Sequence, residues 1–312
     1  MSAAPRPPDP LLSIAAVERD TGLSKDTLRV WERRYGFPEP GRDAIGERAY
    51  PLEQVERLRV IKRLLDAGHR PGRVVRLPRA ELEHLAESTV GQPATTGDMA
   101  AVGAPVLRGL LERLTAGDLA ALRHELALQQ SRLGARNFVT QVVAPFNGAV
   151  GDAWMRGRLQ IFHEHLYSEL MQSLLRQMLG AIPMPTAPQA TRVLLTSLPG
   201  EPHALGLLMA EVLFALEGCL CLPMGPQTPV LDIARAADAM HADIVALGFA
   251  GCLGAKQVLA SLTELRAKLP ARTQLWVGGV VSGLQRRSIE GVQRLDSVGD
   301  IGAHLRQRHA MA

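Results

Sequence analysis

Ser197-Leu198-Pro199-Gly200-Glu201-Pro202-His203-Ala204-Leu205-Gly206 is the stretch on which the carboxyl-terminal third of this chain turns. It follows an apolar run, Arg192-Val193-Leu194-Leu195-Thr196, that reads as a strand buried on both faces, and it leads into a helical pattern that begins at Leu207. A loop between such a strand and a helix lies at the carboxyl edge of a parallel sheet, where open α/β sheets place their ligands. Glu201 and His203 are therefore ligand-edge candidates. Taken alone, Glu-x-His-x-x-Gly is as readily an ordinary polar loop, so its surroundings decide.

Downstream the pattern alternates. Strands at 193–196, 220–224, 244–247 and 275–277 are separated by helical periods at 207–216, 230–240 and 255–269. That alternation predicts a doubly wound, Rossmann-like (flavodoxin-like) parallel sheet over 189–312. Gly248, Gly251, Gly278 and Gly279 follow the third and fourth strands, so backbone can approach a ligand closely there. Upstream, the proline-rich 183–188 is a short, stiff linker. Residues 106–182 carry leucines at helical spacing, such as Leu107, Leu110, Leu111 and Leu114, and four amphipathic helices predict a bundle. Within it Trp154 precedes Glu164-His165 by nine intervening residues. His163 and His165 are two apart and point to different sides of a helix, which opposes a zinc site.

Residues 88–105 shift to Gly, Ala, Thr and Pro without apolar period, a flexible tether. Before it, Ser13 and Ser24 are placed to cap two short helices, 14–21 and 25–34, joined through Gly22, the shape of a helix-turn-helix. The second helix offers Lys25, Thr27, Arg29, Arg33 and Arg34 for phosphates and groove edges, with Leu28 and Trp31 turned inward. Gly41 to Ala49 reads as a wing with Gly46, Arg48 and Tyr50, and Pro51 is placed to start the next helix.

The 312 residues allow about two domains. Hydrophobic residues make up 46% and charged residues 21%, a globular balance that excludes a disordered chain. Of the net charge of +4, residues 1–80 carry more than the whole, with 16 Lys or Arg against 11 Asp or Glu, so the basic end is the amino end. Three cysteines, Cys219, Cys221 and Cys252, make no disulfide framework. No stretch has the ~18 apolar residues of a membrane span or the profile of a signal peptide. The expectation is a cytoplasmic protein.

Thr27-Leu28-Arg29-Val30-Trp31-Glu32-Arg33-Arg34-Tyr35-Gly36-Phe37-Pro38 and Gly46-Glu47-Arg48-Ala49-Tyr50 resemble the winged helix-turn-helix of MerR-family transcription regulators. The resemblance implies a DNA-binding domain over 1–87, with Arg29, Arg33, Arg34, Arg48 and Tyr50 on double-stranded operator DNA. Trp154, nine residues and Glu164-His165 resemble the helical cap of CarH-type cobalamin-binding regulators, which carry a MerR-like head. The implied cap residues are Trp154, Met155, Glu164 and His165. Light-responsive members place a histidine after the tryptophan, and it ligates cobalt after the cobalt–carbon bond is broken; this chain has Met155, a soft and weak donor.

Glu201-x-His203-x-x-Gly206, Met224-Gly225-Pro226-Gln227-Thr228-Pro229 and Val277-Gly278-Gly279 resemble the Rossmann-like cobalamin-binding domain shared with methionine synthase and methylmalonyl-CoA mutase. By that resemblance His203 is the lower ligand of cobalt, Glu201 orients its ring, Gly206 leaves room for the nucleotide tail, and Thr228, Gly248, Gly251, Gly278 and Gly279 line the cofactor. A hydroxyl familiar after the third strand is replaced by Gly248-Phe249-Ala250. The implied function is a non-enzymatic, light-responsive repressor in which adenosylcobalamin, or another cobalamin, controls self-association as dimer or tetramer and hence DNA binding. The alternatives are a corrinoid carrier for methyl transfer, and a regulator whose pocket takes another tetrapyrrole or no cofactor.

Overall fold

The computed structural model describes residues 11–66, 69–89, 103–187, 189–281, 284 and 288–311. They form two compact units, an amino-terminal head and a larger helical and α/β unit.

The head opens with β1 (Leu11–Ser13), α1 (Ile14–Thr21) and α2 (Lys25–Tyr35). Ser13 and Ser24 cap the two helices by accepting backbone N–H groups from Ala16 and Thr27. Gly22 and Gly36 end them in left-handed conformation, as a tight C-cap requires. β2 (Gly41–Arg42) and β3 (Arg48–Pro51) make the wing, a three-stranded antiparallel sheet in the order β1-β3-β2. Pro51 pairs with Leu11 as the last residue of β3 rather than opening the following helix, α3 (Leu52–Asp66). Proline is tolerated there because β3 needs no donor from its final residue. α4 (Pro71–Val74) and α5 (Arg79–Thr89) complete the head, whose core gathers Val17, Leu28, Trp31, Tyr50, Leu58, Ile61 and Leu82.

The second unit begins with α6 (Ala104–Thr115), α7 (Leu119–Phe138), a π-helical stretch Val139–Val143, α8 (Ala144–Met155) and α9 (Ile161–Ala181). Gly134 interrupts α7 with φ 71° and ψ 165°, which is where the sequence pattern divides two helices. The sheet follows: β4 (Arg192–Thr196), α10 (Leu205–Leu216), β5 (Leu220–Gly225), α11 (Val230–Ala239), β6 (Ile244–Phe249), α12 (Ala255–Lys268), β7 (Gln274–Gly279), β8 (Val292–Arg294) and α13 (Ile301–Met311). All its pairings are parallel, in the order β5-β4-β6-β7-β8.

Strand alternation assigns its side chains to two cores. Leu194, Val245, Leu247, Leu275 and Val277 meet α11 and α12. Val193, Leu195, Ile244, Ala246 and Trp276 meet α10 and α13 and join a single cluster with Leu110, Leu126, Phe146, Met171 and Leu175 of the helices. The bundle and the sheet therefore share one core, although the proline-rich segment between them reads as a domain boundary. No helix among the described residues is long and apolar enough to cross a membrane.

Candidate functional site

From β4 the chain crosses to β5 on one side, and from β6 it crosses to β7 on the other, so the sheet's topological switch point lies between the neighbouring strands β4 and β6. The loops that follow these two strands carry the residues of interest. Glu201 is fully buried. Its Oε1 accepts the Nδ1–H of His203 at 2.6 Å and its Oε2 accepts the Ala250 N–H at 2.9 Å. Burial pushes the Glu201 carboxyl up, but the bonds from His203 and Ala250 outweigh it and hold the group below its ordinary range. An ionised acceptor at Nδ1 fixes the tautomer: the proton stays on Nδ1 and Nε2 is left to bind a ligand. Nε2 has no hydrogen-bond partner among the described residues, and the His203 side chain is 54% exposed.

Cys252, in the loop after β6, brings its Sγ to 3.5 Å from the same Nδ1. The Cys252 thiol and the Glu201 carboxylate together raise His203 to about 10. The loop is braced from below. Ser197 Oγ donates to the Glu201 carbonyl at 2.6 Å and accepts the Gln227 N–H at 2.9 Å. Thr228 touches Thr196 through their hydroxyls at 2.7 Å, and Thr196 reaches the Gly225 carbonyl at 2.7 Å. Thr228 thus ties the second-strand loop to the first. A cleft of about 310 Å³ opens on the β5 side of α10, between Leu208 and Glu211 of that helix and Arg176 and Leu179 of α9.

The glycines divide by physical cause. At Gly206, in the first turn of α10, a Cβ would meet nothing within 4 Å, so the missing side chain leaves open space there. Gly248 lies inside β6 rather than after it, and a Cβ there would stand 3.0 Å from Leu207 Cδ2, so close packing of α10 accounts for it. Gly278 and Gly279 are the last residues of β7; Gly279 has φ +86°, and a Cβ would collide with the Phe249 carbonyl oxygen of the neighbouring strand. Gly251 has φ +91° and abuts Val280. Of the five, Gly206 alone has room that no protein atom uses.

In the helices, Trp154 is partly buried against the bundle core, and Met155 is the last residue of α8. Glu164 accepts the Ser168 hydroxyl at 2.6 Å and stands 3.4 Å from the largely exposed His165. His163 is buried, and its Nδ1 accepts the Gln160 N–H at the start of α9, a capping role that removes it from any metal set.

On the head, α2 buries Leu28 and Trp31 and leaves Arg29, Arg33 and Arg34 exposed. Arg29 pairs with Asp26 at 3.2 Å and Lys25 with Glu18 at 3.7 Å, while Thr27 meets the Ser24 cap at 2.8 Å. Arg48 forms a two-pronged pair with Glu32, at 2.8 and 3.3 Å, which locks the wing to α2. Tyr50, expected on the wing surface, is completely buried, and its hydroxyl finds no partner among the described residues. Strand alternation turns it inward beside buried Ala49, and the ring anchors the wing in the core. Cys252 is the site residue that sequence reasoning missed; its signal was position, one loop across the switch point from His203.

The geometry agrees with comparisons to known proteins. Residues 12–80 match the MerR HTH family regulatory protein model, and residues 106–178 match a B12 binding domain. The HTH-type transcriptional repressor CarH of Myxococcus xanthus is 30% identical over 84% of this chain and 86% of its own length. The HTH-type transcriptional repressor CarA of the same organism is 31% identical over 86% of each. A monomethylamine corrinoid protein from Methanosarcina barkeri has the fold of the second unit, at 14% identity and TM-score 0.51, covering 65% of this chain and 98% of that one. With a winged head, a helical segment and a parallel sheet in the same order, and at 30–31% identity over most of each chain, the protein belongs to the family of HTH-type transcriptional repressors that includes CarH and CarA.

Proposed function

We propose that this protein is a cobalamin-dependent repressor in which His203 Nε2 would ligate cobalt and the loaded state holds an oligomer able to bind operator DNA. The observation that carries the reading is the buried Glu201 carboxylate, which fixes the His203 tautomer and leaves Nε2 free, in a loop whose Gly206, three residues on, has open space where a side chain would stand. When bound, cobalamin supplies a cobalt centre and, as adenosylcobalamin, a light-labile cobalt–carbon bond.

This chain's own residues do the rest. Glu201 keeps the Nδ1 proton and raises the basicity of the ring; Ala250 and Ser197 keep Glu201 in place. With the proton held on Nδ1, the Nε2 lone pair is the one that would bind cobalt. Trp154, Glu164 and His165 would form a cap that encloses the bound group. Arg29, Arg33 and Arg34 face the operator, and Arg48 presents the wing. Light enters the scheme as the signal that breaks the loaded state. Met155 puts a thioether where light-responsive members place a histidine, a softer and weaker donor that would hold cobalt less well.

The test is absorption spectroscopy of the full chain loaded with adenosylcobalamin, cyanocobalamin or haem, in darkness and after illumination, with oligomer mass and DNA binding followed in parallel. His203→Ala shifts the cobalamin spectrum and weakens retention by at least tenfold. An unaltered spectrum removes the ligand assignment, and uptake of haem alone removes cobalamin.

A further inference from the structure

We propose that Glu201 Oε1, His203 Nδ1 and Cys252 Sγ form a second metal site that takes one zinc ion in the cofactor-free protein, and that zinc and cobalamin oppose each other through the shared imidazole. The three ligand atoms lie within 4.8 Å of one another. They come from two loops on either side of the switch point, so the fold rather than local sequence assembles them.

A tetrahedral zinc with bonds of about 2.3 Å to sulfur and about 2.0–2.1 Å to nitrogen separates its sulfur and nitrogen donors by about 3.6 Å. The observed Sγ to Nδ1 distance is 3.5 Å. The Oε1 to Nδ1 distance of 2.6 Å is that of a hydrogen bond and must open by about 0.8 Å to admit the ion. The half-exposed His203 ring can give that movement, whereas Glu201, fully buried and held at Oε2 by Ala250, cannot. A thiolate, an imidazole and a carboxylate form a donor set that suits zinc, and the exposed side of His203 leaves a fourth position to water. Binding replaces two protons, one from Nδ1 and one from the thiol.

The antagonism rests on the assignment of His203 Nε2 to cobalt. A zinc ion on Nδ1 withdraws electron density from the ring and removes its hydrogen bond to Glu201, both of which weaken Nε2 as a donor. By linkage, cobalamin weakens zinc by the same factor.

The experiment titrates the full, cofactor-free chain with zinc against a chromophoric chelator, and separately with Co²⁺ as a spectroscopic stand-in. The expected result is one ion per chain and a thiolate-to-cobalt charge-transfer band. Cys252→Ala weakens binding at least tenfold and abolishes the band, while Cys221→Ala, a thiol elsewhere in the unit, changes neither. Circular dichroism checks that Cys252→Ala keeps its fold. No zinc uptake, or an affinity and band unchanged in Cys252→Ala, overturns the site. Zinc affinity measured with cobalamin present then falls at least tenfold; an unchanged value overturns the antagonism. A chain that takes zinc through Cys252 but retains no cobalamin refutes the cobalamin assignment and leaves the zinc site standing.

Discussion

Glu201→Gln separates the electrostatic part of the site from its shape. The amide keeps the size of the carboxylate but removes its charge, and one of its two ends becomes a donor. If the oxygen continues to accept from His203 Nδ1, the NH₂ group faces the Ala250 N–H, donor against donor, where Oε2 now accepts at 2.9 Å. A buried donor without an acceptor costs about 1–3 kcal/mol. Loss of the charge-assisted bond to His203 removes about 1.5–3 kcal/mol more in a closed site. Because the ring is 54% exposed, solvent screening reduces that second contribution to about 1 kcal/mol.

The two parts differ in their dependence on pH. Glu201 is depressed below 4.5, so its share is present above that value and fades as pH falls through the depressed one. His203 is raised from 6.5 to about 10, so its share is complete below 6.5 and fades as pH rises through about 10. The stability gap between the original protein and Glu201→Gln is therefore about 2–4 kcal/mol across the middle of that window and narrows by about 1 kcal/mol at either end, the amide mismatch persisting throughout. Urea unfolding of the full, cofactor-free chain across pH measures the gap, and histidine ring-proton NMR, with His203→Ala to identify the resonance, shows the His203 titration moving down by about one unit. A gap that does not vary with pH, or a His203 titration that does not move, refutes the charged pair.

Three further outcomes follow from the geometry. Gly206→Val places a side chain where no atom lies within 4 Å, so thermal stability changes by less than about 1 kcal/mol while cobalamin retention falls at least tenfold; equal retention shows that the space serves no ligand. Gly279→Ala meets the Phe249 carbonyl at φ +86° and destabilises the chain by at least about 2 kcal/mol in chemical denaturation, with or without cofactor. Arg33→Ala removes an exposed cation that has no ion-pair partner among the described residues, leaving stability unchanged and lowering the salt slope of operator binding by about 1 in fluorescence anisotropy; Arg48→Ala, which also breaks the Glu32 pair, lowers both.

Most of the architecture was legible because it rests on local signals. The serine caps of α1 and α2, the break at Gly134 and the apolar strands β4 to β7 each write their own periodicity or punctuation into the chain. β8 and α13 went unread because a three-residue edge strand has too little pattern and α13 buries only Ile301 and Leu305 in the shared core. Burial of Tyr50 and the close packing at Gly248 are not written locally, because their surroundings are set by elements distant in sequence, the head's core in one case and Leu207 of α10 in the other. Glu201 and His203 stand out in the sequence from their place in a strand-to-helix loop, and the structure pairs them. Cys252 does not, since only the pairing of β4 with β6 brings residue 252 beside residue 203.

The continuous core shared by bundle and sheet also restricts how a signal can leave this molecule. Prising the two layers apart would put Phe146, Met171, Leu175 and Phe214 into water, a penalty of roughly 1.5–3 kcal/mol for each side chain. A signal that opens the two layers has to offset that penalty from the free energy of ligand binding. A change confined to the outer surface carries no such penalty, and it alters which neighbours the unit still fits.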